Sequence, residues 1–132
     1  MPQKTWPFSF IKPGDMARPY LPVTISNPVT GKSVRIAALI DTGADECALP
    51  ESFARLLGHK IESGKPKSVS TGGGLATAYS HTALITADDF ISLEATVDFV
   101  PTLRMPLIGV NSFLNRFVLT VDYPAGAFSL RY

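Results

Sequence analysis

The sequence predicts an all-β domain, a small closed or nearly closed β-barrel with one or two short helices. Three observations carry this. Ile91, Leu93, Ala95, Val97 and Phe99 alternate with Ser92, Glu94, Thr96 and Asp98, the period of a half-buried strand. Short apolar runs recur between turn signals, among them Asn27-Pro28-Val29-Thr30-Gly31, Asp88-Asp89 and Pro124-Ala125-Gly126, a rhythm typical of small β-folds. Helix signals occur in only two stretches, both short.

Taken in order, residues 1–17 read as an irregular N-terminal arm. Pro2, Pro7 and Pro13 interrupt Trp6, Phe8, Phe10 and Ile11, leaving room for one short extended piece. The domain proper is expected over 18–132. Val23 to Ile25 and Val34 to Ile40 form a hairpin around the 27–31 turn. Pro50 to Leu57 is the clearer helix: Pro50 suits its first position and Gly58 its stop, with Phe53, Leu56 and Leu57 on one face. Residues 65–82 are polar around Gly72-Gly73-Gly74 and read as a long mobile hairpin. Ala83 to Ala87 and residues 91–99 are strands joined by Asp88-Asp89. Met105 to Gly109 is a short apolar run. Asn111 to Phe117 is a second short helix, and 117–132 fold into a last hairpin.

Composition narrows the functional classes. At 132 residues, 45% hydrophobic and 17% charged, the chain is one globular domain with a modest core. Its formal charge is +1, with both signs interspersed, so neither nucleic acid nor a membrane is an expected partner. One cysteine, Cys47, excludes an internal disulfide and a multi-cysteine zinc site. It reads as a small buried thiol. His59 and His81 are far apart and lack ligand spacing, so they read as surface or satisfied histidines. Residues 1–15 lack the continuous apolar stretch of a signal peptide, and no run reaches membrane-spanning length. A cytoplasmic location is expected.

The chemistry concentrates in one segment. Ala38-Leu39-Ile40 run into Asp41-Thr42-Gly43-Ala44-Asp45, placing a carboxylate where a core strand ends, among apolar neighbours that disfavour its charge. Alone, such a triplet is short enough to be an ordinary turn. The glycine run alone is a plain loop, and it lacks the Gly-Lys-Ser/Thr of a phosphate loop. No Gly-x-Ser-x-Gly occurs, and Cys47 has no evident His partner.

Three segments together, Leu39 to Ala44, Thr71 to Gly74 and Leu107-Ile108-Gly109-Val110-Asn111, resemble the retropepsin-like aspartic proteases in content, order and spacing. Lys65-Pro66-Lys67 also resembles the retroviral stretch before the flap. The likeness covers about 18–132. The hairpin ending is closer to cellular and bacterial members than to retroviral ones. It implies an acid-protease barrel with a flap hairpin and an aspartic endopeptidase acting on polypeptides without metal or organic cofactor. With a single Asp-Thr-Gly, it implies a homodimer. Asp41 would be catalytic, and Thr42 and Gly43 would support its loop. Ala44, Asp45, Glu46, Gly72 and Gly73 would contact substrate, with Gly73 at the flap tip in a backbone conformation that side chains resist.

Two features depart from the family pattern. Retroviral enzymes often carry Arg after the second-motif glycine, paired with the acid that is Asp45 here; this chain has Val110. Arg18-Pro19 resembles an N-terminal Arg-Pro that can pair with that acid in a partner subunit. The missing Arg keeps open a non-catalytic dimer of the same fold that binds peptide or protein. Asp45 equally reads as a turn cap. An unrelated small barrel, with Asp41 capping a turn, is a third reading.

Overall fold

A computed structural model of the chain describes residues 2–132. The strands are β1 (Gln3–Pro7), β2 (Tyr20–Ser26), β3 (Ser33–Ile40), β4 (Cys47–Pro50), β5 (Lys65–Thr71), β6 (Gly74–Ala87), β7 (Ile91–Val100), β8 (Leu107–Ile108), β9 (Val118–Asp122) and β10 (Ala127–Arg131), with one α-helix, α1 (Ser52–Leu56). The larger sheet runs β2-β3-β8-β4-β7-β6-β5, and β6 pairs back onto β2. Strands β2, β3, β8, β4, β7 and β6 therefore close a ring, and β5 hangs from β6 outside it. The ring is not a regular barrel: β3–β8 and β4–β7 are parallel, the other pairs antiparallel, and β8 has only two residues.

Alternation decides what the ring encloses. Leu21, Val23 and Ile25 of β2, Ala38 and Ile40 of β3, Ala83, Ile85 and Ala87 of β6, and Ala95, Val97 and Phe99 of β7 fill one cluster with Leu49, Ile108 and Phe113. Each fully buried side chain of Leu or Phe size contributes about 1.5–3 kcal/mol of transfer free energy. The alternation expected in β7 holds up to Asp98. That residue lies on the polar side but is only 4% exposed.

The N-terminal arm is not irregular throughout. Residues 3–7 form β1, which pairs with β10 in a separate sheet of order β1-β10-β9. Trp6 stacks on Phe128 at 5.5 Å and meets Phe90 edge-on at 5.7 Å, so this sheet is clamped over the β6–β7 turn. Residues 9–18 form a loop whose base is closed by Ser9 and Arg18 bonding each other's backbone.

Three local expectations change. Pro50 belongs to β4, and the helix begins at Ser52. Gly58, at φ +76°, ends it, with Gly58 N–H donating to Arg55 and His59 N–H to Ala54, a Schellman stop. Ala54 of this one-turn helix and Leu57, which caps it, are buried while Leu56 is exposed. The second helix is reduced to a 3-10 turn at Leu114–Arg116. Ser112 sits at φ +62°, which no α-helix accommodates, and its hydroxyl accepts from Thr96 N–H. Finally, β6 runs unbroken from Gly74 to Ala87, so the glycine hairpin and the core strand are one element. Among the described residues no helix is long and apolar enough to cross a membrane.

Candidate active site

Asp41 follows β3 directly, where the ladder to β8 pairs Leu39 with Leu107 and Ile40 with Ile108. Leu39 N–H donates to Pro106, and Asp41 N–H donates to Ile108, at 2.9 Å each. On the far side of the loop, Val110 N–H donates to the Ala44 carbonyl (2.9 Å) and Asn111 N–H to the Asp45 carbonyl (2.7 Å). Ala48 of β4 pairs with Leu107. Segment 106–111 thus runs between the two arms of the Asp-Thr-Gly loop and is bonded to both.

Gly109 is what allows that passage. A Cβ there would lie 2.3 Å from the Glu46 carbonyl oxygen and 2.9 Å from that of Ala44. Gly109 N–H points at the Cys47 sulfur, 3.4 Å away. Cys47 is buried as expected, and burial pushes its thiol up to about 11, outweighing the hydrogen bond that lowers it. It is an inert floor for the loop rather than a nucleophile.

Within the loop, Asp41 is half-buried while Thr42, Gly43 and Asp45 are exposed. Gly43 N–H donates to Asp41 Oδ1 at 2.9 Å, and Ala44 N–H donates to the Asp41 carbonyl. The carboxylate is therefore oriented by its own turn, at the surface end of a rigid strand. Glu46 is held by Asn111 Nδ2, which donates to Oε1 at 3.2 Å. The structure brings Asp41, Thr42, Gly43, Ala44, Asp45 and Glu46 together with the second motif. Gly72 and Gly73 lie in a different element, the exposed turn between β5 and β6. The unusual backbone conformation falls one residue later than expected: Gly74 is at φ +110°, not Gly73.

Gly109 and Asn111 are site residues that the motif names without revealing their task. Their steric and hydrogen-bonding roles depend on a crossing of two distant segments. Val110 bonds the loop only through its backbone, so Asp45 has no ion pair among the described residues. Arg18 is exposed and bridges Ser9 through its backbone. His59 and His81, remote in sequence, stand ring to ring at 4.5 Å against Phe99. Among the described residues no three His, Cys, Asp or Glu side chains converge as a metal site.

A ring of strands with a carboxylate turn stapled by an apolar-apolar-Gly segment, and a glycine-tipped hairpin outside it, defines the retropepsin-like fold. Residues 27–116 match the family model described as "gag-polyprotein putative aspartyl protease", and the chain belongs to that family. It is similar in fold to a retropepsin-like aspartic protease from Rickettsia conorii. The two are 22% identical, covering 98% of this chain and 99% of that one, with a TM-score of 0.68. No curated protein matches the chain.

Proposed function

We propose that the chain is an aspartic endopeptidase that works as a homodimer, each protomer supplying one Asp41. The observation that carries this is the stapled turn. It spends two strand ends and a second motif on presenting one half-buried carboxylate, an arrangement with no evident purpose in stability alone. One carboxylate cannot serve as both base and acid, so a twofold mate completes the site.

In the dimer the two carboxyls share a proton, because two in contact cannot easily both ionise; aspartic-protease pairs are the standard example. The ionised one takes a proton from water as its oxygen attacks the scissile carbonyl carbon. The protonated one gives its proton to the carbonyl oxygen. As the tetrahedral diol collapses and the C–N bond breaks, the carboxyl that took water's proton gives it to the leaving nitrogen while a diol hydroxyl gives its proton to the other carboxylate, so the pair again holds one proton. Thr42 bonds across the twofold. Gly43 and Ala44 keep the wall beside Asp41 low, Asp45 and Glu46 accept from substrate amides, and Gly72 and Gly73 close over an extended polypeptide. Rate falls at high pH when both carboxyls ionise and at low pH when both are protonated, with an optimum on the acid side of neutral.

The test is Asp41→Asn, which keeps the shape and removes the base. Peptide cleavage is expected to drop at least about 100-fold with thermal stability nearly unchanged. Wild-type cleavage by this variant would end the protease reading. Val110, in place of an Arg that could hold Asp45, favours a second reading of the same dimer as a peptide-binding module. Saturable peptide binding without cleavage from acid to neutral pH would select it.

A further inference from the structure

Asp98 is the most deeply buried charged residue, at 4% exposure. Its neighbours in β7, Val97 and Phe99, point into the core, so its carboxylate lies on the opposite side of the sheet. Two groups meet it there from successive strands. Ser80 Oγ of β6 donates to Oδ1 at 2.6 Å, and the Lys67 ammonium of β5 pairs with Oδ2. Lys67 itself stays partly exposed, its side chain 38% against 6% for Asp98.

The register gives this cluster its meaning. Strand β7 supports β6 only as far as the pair Tyr79–Phe99. Beyond it, from Ala78 to Gly74, the β6 ladder is with β5 alone among the described residues. The hairpin therefore leaves the sheet at the rung Pro66–Tyr79–Phe99. Lys67, opposite Ala78, is on the first free rung. Asp98, opposite Ser80, is on the last rung before the hinge. We infer that Lys67 and Asp98 form a brace across the hinge of the flap hairpin, and that this brace sets how readily the hairpin lifts.

Lifting the hairpin about that rung draws the ammonium away from a buried carboxylate. A buried charge stripped of its partner is strongly disfavoured, and Ser80 alone supplies one neutral hydrogen bond. Asp98 is thus a positioning residue that acts through Lys67 on a strand it does not pair with. The brace stands on geometry alone; its service as a gate for substrate rests on the protease reading above.

Hydrogen exchange on the free 132-residue chain tests the brace without any substrate. In Lys67→Met, amides of 68–77 should exchange about tenfold faster, while those of 83–87 and 93–97 keep wild-type protection. Asp98→Asn should show the same local pattern, the double variant no more than the larger single effect, and Lys67→Arg should restore slow exchange. Flap exchange within twofold of wild type in both single variants would overturn the brace. So would acceleration spread evenly through the ring, which marks a merely structural pair. Local acceleration in a chain that cleaves nothing would support the brace and count only against the protease reading.

Discussion

Replacing Gly109 by alanine tests how tightly the two motifs interlock. The added methyl carbon would lie 2.3 Å from the Glu46 carbonyl oxygen and 2.4 Å from its carbon. Both are backbone atoms, so no side chain can swing aside. Segment 106–111 must move off the loop. That costs the Val110–Ala44 and Asn111–Asp45 hydrogen bonds, about 1 kcal/mol each. Residual crowding adds roughly 1–3 kcal/mol. A total of about 3–5 kcal/mol follows, equivalent to a melting point lowered by roughly 10–20 °C for a domain of this size. Urea and thermal unfolding measure it, with Gly72→Ala, whose Cβ meets nothing within 4 Å, as the near-neutral control. A Gly109→Ala protein within about 1 kcal/mol of wild type would show slack between the segments, and the stapled-loop account would fail.

Backbone strain in the β5–β6 hairpin belongs at Gly74. Gly74→Ala, at φ +110°, should raise local exchange and lower turnover through about 1–3 kcal/mol of backbone strain, whereas Gly73→Ala should do little; the reverse order would refute it. Cys47 keeps its proton to about 11 against an ordinary 9.0. Between those values the unfolded chain has lost a proton that the folded chain retains. Stability is therefore full below about pH 9 and falls toward pH 11, by on the order of 2–3 kcal/mol. Cys47→Ala should remove that share of the alkaline loss, seen as a flatter unfolding-versus-pH curve. His59 is shifted down by burial first and by His81 second, so its contribution is present above its ordinary 6.5 and is lost as pH falls. His59→Gln should flatten the acid limb of the stability profile, and an unchanged limb would exclude the residue as its source.

Legibility of the fold followed from locality. The β7 pattern, the 27–31 and 124–126 turns and the apolar strand running into Asp41 are written in neighbouring residues, because side-chain alternation and turn chemistry act over a few positions. The three motifs in family order carried the candidate loop from Asp41 to Glu46 for the same reason. Four-residue β4 was not legible, since Cys47–Pro50 is too short to show a period and exists through its pairing with β7 and β8. Nor was β1, whose partner β10 lies at the other end of the chain. Ser112 broke a helix that the pattern of Phe113, Leu114 and Phe117 suggested.

What the sequence determined by itself was therefore the longer alternating strands, the turns and the placing of Asp41 at the end of an apolar strand. Tertiary structure alone decided which charges are buried and which glycine is indispensable. Asp98 reads as a polar member of the β7 alternation, Lys67 as part of a polar hairpin, and His59 and His81 as unrelated singles. They become a hinge brace and a ring-stacked pair only because register sets distant strands side by side. Gly109 stands in the second motif, but its steric task shows only where segment 106–111 crosses the backbone of Glu46. Local sequence specifies which face a residue takes on its own strand; what stands opposite that face depends on ring closure, which no short window of sequence contains.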